Sequence, residues 1–281
     1  MTSTLVRRRH PHPSPPRTAD PRARARDWAE IQERMLVPLY EAVYERLDVG
    51  TGTRLLGLGC GSGLALLMAA GRGADVCGVD TDEPRLALAR ERLGGPVRLG
   101  PGGPESACAR EAAATARFSV VTAFEPLPAP AAGGPGGPGA AASSLTAAAA
   151  LAERGGAVVL AGWGPPERCA TSSVLRVGAR LADPMCAPAR WRPCGRDDLE
   201  TLAERAGLRP DGSGRVACPF GYADLDSAVR GLLSTGLFDA AERATDPTQV
   251  RKEIAEALHP YQRPDGTVWM PNVLRYLIAR V

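Results

Sequence analysis

Residues 54–63 read RLLGLGCGSG, an apolar run that breaks into alternating glycines, and residues 64–70 continue as the apolar run LALLMAA. A short Leu-rich run between turn signals is typical of a parallel-sheet strand that is covered on both faces. Glycine adopts positive φ readily and lets a ligand approach the backbone closely. The pattern therefore predicts a buried strand, a glycine loop and a helix whose free N–H groups point into the loop.

Glycine loops of this kind bind two classes of cofactor, and the spacing of the glycines distinguishes the two kinds of loop. A dinucleotide-binding fingerprint has the form G-x-G-x-x-G/A. Counted from Gly59 its third position falls on Leu64, and counted from Gly57 it falls on Ser62, so neither start fits. The alternative is an unliganded turn, but glycines that serve no ligand weaken a fold. The loop instead has the form G-x-G-x-G, at Gly59, Gly61 and Gly63.

This loop resembles motif I of the class I S-adenosylmethionine-dependent methyltransferases, and residues 78–82 (GVDTD) resemble their second motif. The resemblance implies a Rossmann-like α/β fold: a seven-stranded, mostly parallel sheet, helices on both faces, and a helical insertion before the last strand. It implies S-adenosyl-L-methionine as the cofactor, with Asp80 at the end of the second strand holding the ribose hydroxyls. One departure is Gly57, where the family usually has an acidic residue that braces the loop or reaches the cofactor.

The resemblance also implies which residues contact the cofactor and lie near the reaction. Residues 118–124 have the β-branched, apolar character of a central strand, and resemble the family's fourth motif. Ligands of open α/β sheets lie outside the carboxyl ends of the strands, so Glu125 is a candidate catalytic residue, with a solvated loop acid as the alternative. The expected cofactor contacts are Gly59, Cys60, Gly61, Gly63, Asp80, Thr81 and Phe124.

Four aromatic residues are candidates for the substrate pocket, and one histidine for a general base. His259 is the only histidine outside the N-terminal tail, and the ordinary pKa of histidine suits a base. The alternative for each of the five is ordinary packing or surface exposure. The aromatic candidates are Trp28, Tyr40, Trp163 and Tyr261.

Composition, periodicity and the family resemblance together divide the chain into five segments. An Arg- and Pro-rich tail (1–26) is predicted to be disordered, and a helical cap (27–49) follows. The resemblance implies that residues 50–218 form the cofactor-binding core, residues 219–271 a helical lid that selects the substrate, and residues 272–281 the last strand of the core.

Three of these segments carry more specific predictions. Pro38 marks a kink or junction in the helical cap. In the core, the Ala-, Gly- and Pro-rich residues 128–144 are predicted to be a mobile loop at the rim of the site, and residues 145–154 an Ala-rich helix. In the lid, helices are expected from Asp224 through Leu233 and from about Pro247 to Leu258.

Composition bounds the class of protein. The 281 residues are 44% hydrophobic and 23% charged, which is typical of a soluble globular protein. No apolar run approaches the ~20 residues of a membrane span. The seven cysteines contain no C-x-x-C pair and only three histidines are present, so neither a metal site nor a disulfide framework is indicated. Reduced thiols favour a cytoplasmic protein.

The net charge of +3 is unevenly distributed. Residues 1–26 hold seven arginines against one acid, Asp20, so this segment carries +6 and the remainder −3. Nucleic-acid-binding proteins cluster basic residues on the folded domain, so the slightly acidic body argues against that class, although the tail suits an anionic partner. We expect a small-molecule acceptor as the partner, no membrane contact, and a monomer or homodimer.

The implied function is transfer of a methyl group from S-adenosyl-L-methionine to an O, N or C atom of a small organic molecule. Two alternatives remain open at this point. One is an enzyme of the same fold that catalyses a cyclisation, decarboxylation or rearrangement, and the other is a cofactor-binding protein without catalysis.

Overall fold

The computed structural model describes residues 20–127, 138–182, 195 and 197–281. Seven strands in these ranges form one sheet, and two short strands form a second. The strands are β1 (Arg54–Leu58), β2 (Asp75–Asp80), β3 (Arg98–Pro101), β4 (Phe118–Leu127), β5 (Ala152–Trp163), β6 (Arg209–Ala217), β7 (Phe220–Tyr222), β8 (Val268–Met270) and β9 (Val273–Arg280).

The large sheet has the order β3–β2–β1–β4–β5–β9–β6. Strands β1 to β5 pair in parallel, whereas β9 runs antiparallel to both β5 and β6. This confirms the predicted Rossmann-like sheet of seven mostly parallel strands. The strand order reverses between β1 and β4, and such a reversal opens a crevice at the carboxyl ends of the two strands, where ligands of α/β sheets bind.

Helices cover both faces of the sheet, and no described helix is long and apolar enough to cross a membrane. The helices are α1 (Pro21–Asp27), α2 (Val37–Arg46), α3 (Leu64–Gly71), α4 (Glu83–Leu93), α5 (Ala107–Thr115), α6 (Pro138–Ala149), α7 (Thr171–Ala182), α8 (Asp198–Arg205), α9 (Leu225–Ser234), α10 (Asp239–Ala244) and α11 (Pro247–Leu258).

The central strand β1 contributes to two cores. Its neighbouring residues Leu55 and Leu56 are both fully buried, and successive strand residues point to opposite faces of a sheet. Leu55 belongs to an apolar cluster that includes Leu66 of α3. Leu56 belongs to a second cluster that includes Leu199 of α8. The strand is thus covered on both faces, as its continuous apolar sequence predicts.

The segment between β6 and β9 builds a third core together with α7. The structure confirms the predicted helical insertion and places α9 and α11 close to the predicted bounds. It adds a third helix, α10, and the two-stranded sheet β7–β8. Helix α10 and the strands β7 and β8 could not be predicted from the sequence, because each is only a few residues long and shows no clear periodicity.

The first helix begins inside the tail that the sequence predicts to be disordered. Asp20 caps this helix with its side chain, and Pro21 takes a place in the first turn, where its missing N–H leaves no hydrogen bond unmade. Arg24 in the same helix forms an ion pair with the insertion. Disorder is therefore wrong for residues 20–26, and the rest of that prediction, for residues 1–19, lies outside the described residues.

The N-terminal cap is helical, but its helix type changes along the chain. A π-helical turn, Trp28–Gln32, is followed by a 3-10 turn, Glu33–Leu36, and we call these two turns the N-terminal turns. Helix α2 then starts with Pro38 in its first turn, which agrees with the predicted junction. Since π and 3-10 turns do not have 3.6 residues per turn, they change which side chains face inward.

The Ala-rich helix is shifted towards the N-terminus relative to the prediction. It was expected over residues 145–154, but it spans Pro138–Ala149 and so includes the end of the expected loop 128–144. The helix stops early because Ala152 already pairs with β4. Residues 128–137 lie outside the described residues.

Replacing Gly178 of α7 by alanine should destabilise the third core. A Cβ at this position would lie 2.7 Å from Cδ1 of Phe238, a fully buried ring, and overpacking of this kind costs about 1–3 kcal/mol. Gly71→Ala in α3 is the control, because nothing lies within 4 Å of a Cβ there. Urea unfolding should show a loss for Gly178→Ala only, and equal stabilities of the two variants would contradict the packing.

Candidate active site

The glycine loop connects β1 to α3 at the centre of the sheet. Gly59, Gly61 and Gly63 have φ values of 59°, 58° and 81°, in the left-handed region that residues with a Cβ rarely adopt. The loop also bonds internally, since the Gly63 N–H donates to the Cys60 carbonyl at 2.9 Å. The alternating glycines are therefore required by the backbone conformation of the loop.

Asp80 ends β2 and is joined to the glycine loop. Its carboxylate accepts hydrogen bonds from the backbone N–H of Gly61 at 2.7 Å and of Asp82 at 2.8 Å. Asp80 is buried, so these charge-assisted bonds are only weakly exposed to competing water. A carboxylate offers about four acceptor positions, which leaves acceptor capacity beside the loop.

A second buried carboxylate, Glu33, reaches the loop from the N-terminal turns. It is 2% exposed, and its Oε1 accepts from the N–H groups of Ser62 at 3.1 Å and Leu64 at 3.4 Å. Its Oε2 pairs with Arg92 of α4 at 2.7 Å and bonds to the Ser62 hydroxyl. Glu33 therefore caps the first turn of α3 from outside that helix.

Position 57, where the family usually has an acid, is closely packed. A Cβ on Gly57 would lie 3.0 Å from Leu66 Cδ2 and 3.5 Å from the Cys60 Cβ. Glu33 supplies a carboxylate to the same loop from a distant part of the chain. Sequence reasoning missed Glu33 because a regular 3.6-residue period does not direct it inward, whereas the change from a π to a 3-10 turn does.

Trp28 and Arg85 close the space above the loop. The Trp28 Nε1 atom lies 2.9 Å from where a Gly61 Cβ would be, and the Arg85 guanidinium stacks 4.1 Å from the centre of the indole. Arg85 also donates to the Ser234 carbonyl of α9 at 2.6 Å. The cavity left beside the loop is about 20 Å³, which is roughly the space of one water molecule.

A larger cavity of about 300 Å³ adjoins this small one. Trp28, Leu36 and Glu125 line both cavities, and the larger one is completed mainly by apolar side chains of β5, β7 and α9. The N-terminal turns and the insertion meet beside it, where the Tyr222 hydroxyl donates to Gln32 Oε1 at 2.9 Å. The larger cavity therefore lies between the core sheet and the insertion.

Glu125, at the carboxyl end of β4, faces both cavities. Its Oε2 would lie 3.8 Å from a Cβ on Gly59, and its Oε1 lies 3.5 Å from Arg85 Nη1. Almost half of its side chain is accessible, because it borders the cavities, yet the surrounding protein removes enough water to raise its pKa. The Arg85 guanidinium opposes that rise in pKa.

Several other predicted residues lie around these cavities. Phe124 and Tyr40 line the small cavity with ring centres 4.8 Å apart, and Trp163 lines the larger one. Cys60 is buried against the loop, and burial raises the pKa of its thiol, which makes it unreactive. Thr81, in contrast, is exposed directly after β2 and lines neither of these two cavities.

Comparison with solved structures finds proteins of similar extent and topology. A candidate methyltransferase from Bacillus halodurans C-125 is 18% identical with a TM-score of 0.50, over 85% of this chain and 97% of that chain. The YcgJ protein of Bacillus subtilis is 16% identical with a TM-score of 0.51, over 86% and 98%. The cyclopropane synthase MmaA2 of Mycobacterium tuberculosis is 13% identical with a TM-score of 0.50, over 87% and 84%. The chain has the class I methyltransferase fold.

The similarity between this chain and these proteins is structural. No protein-family model matches the chain, and no curated protein matches its sequence. Identities of this size establish the fold, so the chemistry has to be argued from the site itself.

Within this methyltransferase fold, two predicted residues lie away from the site. His259 is exposed at the carboxyl end of α11, and Tyr261 places its hydroxyl 3.3 Å from Ser173 Oγ. Neither lines the two cavities described above, so the structure does not bring these two residues together with the other predicted site residues. The insertion contributes to the larger cavity through β7 and the end of α9, and α11 lies behind these elements in the third core.

Proposed function

We propose that the protein binds S-adenosyl-L-methionine at the glycine loop and transfers the methyl group to an O, N or C atom of a small organic molecule held in the larger cavity. One observation carries this proposal. Glu125, at the end of β4, lies between a glycine loop joined to a buried β2 carboxylate and an apolar cavity large enough for a small molecule. The cofactor and the methyl acceptor would therefore both lie next to the Glu125 side chain.

The residues around the loop fit this cofactor by their chemistry. Asp80 retains acceptor positions for the sugar hydroxyls, and Gly59 and Gly61 leave the backbone free of side chains where a ligand would lie. The indole N–H of Trp28 is buried and has no hydrogen-bond partner among the described residues. When bound, the cofactor supplies an activated sulfonium methyl group.

The protein's own part is mainly positioning. Holding two reactants in line contributes an effective molarity on the order of 10⁵ M or more, and the aromatic walls of the larger cavity exclude water. Glu125, with its raised pKa, is placed to take a proton from an acceptor that must lose one. Arg85 pairs with Glu125 and so fixes its position. It also stacks on the indole of Trp28, which closes the space above the glycine loop.

The closed arrangement has to open for this function. A space of about 20 Å³ beside the loop does not admit the cofactor, so we infer that Trp28 and the N-terminal turns move away when it enters. The same observation favours a second candidate, a protein that keeps this fold without binding the cofactor, because the loop N–H groups are already bonded to Asp80 and Glu33.

Calorimetry with S-adenosyl-L-methionine and with its demethylated product decides between the two candidates. Micromolar binding of either compound is the expected result. Absence of binding of both would defeat the methyl-transfer proposal and leave the second candidate. Incubation with methyl-labelled cofactor and a panel of small molecules then separates methyl transfer from the other reactions of a cofactor-binding enzyme.

A further inference from the structure

The larger cavity has the size and the walls of an aromatic binding site. Its volume of about 300 Å³ is roughly twice the ~150 Å³ of an apolar cavity that holds one benzene, so it suits two fused rings. Trp163 and Phe220 form one wall, with ring centres 6.1 Å apart and planes at 64°. Such edge-on surfaces favour another aromatic ring beside them.

Two residues that line this cavity, Trp28 and Thr171, have a buried polar atom without a hydrogen-bond partner among the described residues. Trp28 Nε1 faces Gly61 of the glycine loop, which leaves the Thr171 hydroxyl for a ligand in the cavity. Thr171 is 1% exposed, it lines the cavity, and its hydroxyl makes no hydrogen bond among the described residues. Its position is fixed, since its backbone N–H donates to Asn272 Oδ1 at 3.0 Å. A buried hydroxyl without a partner is costly, and a ligand hydroxyl would supply the missing bond.

The second threonine that lines this cavity differs from Thr171, because its hydroxyl already has hydrogen-bond partners. Thr235 lines the same cavity, but its hydroxyl already donates to the Leu232 carbonyl at 2.6 Å and accepts from the Leu237 N–H at 3.2 Å. Thr171 is therefore the one of the two that can bond to a ligand without breaking an existing bond.

The charge of the cavity wall favours a neutral ligand. Glu125 is the only charged side chain among the described residues that line it, and Arg85 lies 3.5 Å from its carboxylate. This pair leaves no unpaired positive charge for a carboxylate ligand and no unpaired negative charge for an ammonium ligand. Burying a charged ligand without a partner is strongly unfavourable.

We propose that the larger cavity binds a neutral two-ring aromatic molecule that carries a hydroxyl group, and that this hydroxyl pairs with Thr171. The inference rests on the proposed function only in taking this molecule as the methyl acceptor. Binding of the molecule itself requires no cofactor. Access is from the solvent side, where Leu237 lines the cavity and is 37% exposed.

The test uses 2-naphthol, naphthalene and 2-naphthoate with the full chain and no cofactor. Binding is followed by calorimetry. We expect 2-naphthol to bind about tenfold more tightly than naphthalene, as one added hydrogen bond implies, and at least tenfold more tightly than 2-naphthoate. In Thr171→Val the preference for 2-naphthol over naphthalene should vanish, and in the control Thr235→Val it should remain.

Each variant is judged by the ratio of its affinities for 2-naphthol and naphthalene. A variant that is merely destabilised loses affinity for both compounds, so this ratio does not change. Failure of 2-naphthol to bind, tighter binding of 2-naphthoate, or an unchanged preference in Thr171→Val would each overturn the inference. If 2-naphthol binds as expected while S-adenosyl-L-methionine does not, the aromatic site stands and the methyl-transfer proposal fails. The reverse pair of results would leave the methyl-transfer proposal and remove the aromatic site.

Discussion

Glu33→Ala is expected to lower the free energy of unfolding by about 3–5 kcal/mol, the cost of breaking a buried ion pair by removing one partner. The substitution leaves the Ser62 and Leu64 N–H groups without their acceptor. It also removes the carboxylate from Arg92, whose side chain is 25% exposed. Both effects act where the N-terminal turns meet the glycine loop, so urea unfolding should show the loss as a lower midpoint.

Glu30→Ala is the matched control for that experiment. Glu30 belongs to the same N-terminal turns but is exposed, so its removal should change stability by no more than ~0.5 kcal/mol. Glu33→Gln separates charge from shape, because the amide keeps one acceptor oxygen and loses the ionic part of the Arg92 contact. Equal stabilities of Glu33→Ala and Glu30→Ala would show that the buried carboxylate does not hold the loop.

Asp80→Ala is expected to weaken binding of S-adenosyl-L-methionine by about 3 kcal/mol, or ~150-fold, if the unchanged protein binds it. Two hydrogen bonds from the sugar hydroxyls to a charged group are worth at least this much. Calorimetry with the demethylated product should show a similar loss, because the two compounds share the sugar. The loss would appear in affinity for both ligands and would not depend on the acceptor.

The controls for Asp80→Ala guard against simple unfolding. Asp75→Asn alters the other end of the same strand, where the side chain is 67% exposed and pairs with Arg54, and it should leave the affinity unchanged. Asp80→Asn keeps an acceptor for the Gly61 N–H and tests whether the charge is needed. Undiminished affinity in a folded Asp80→Ala protein would remove Asp80 from the cofactor site.

The centre of the fold could be predicted from the sequence because its signals are local. The run from Arg54 to Gly63 predicts strand, loop and helix start, because apolar character and glycine spacing act over a few residues. Asp80 follows from the length of one helix and one strand. The seven-stranded, mostly parallel sheet and the helical insertion came from the family resemblance, and the structure confirms both; the strand order itself was not predicted.

The arrangement of the site was less predictable, because it depends on contacts between distant residues. Glu33 meets Ser62, and Arg85 meets Ser234, across segments whose approach no local pattern encodes. Thr171 has an unmet hydroxyl only because a particular cavity forms around it. The location of His259, exposed at the end of α11 and outside the two cavities described above, depends in the same way on how the third core packs.

The shared wall of the two cavities has a consequence for the order of events. Trp28 lines both spaces, so an aromatic molecule that packs against the indole from the larger side would hold it down over the glycine loop. The methyl transfer proposed above would then follow a compulsory sequence, with the nucleoside entering before the acceptor and leaving after the methylated product. An excess of acceptor would inhibit the reaction, because it would hold Trp28 over the glycine loop of the cofactor-free protein.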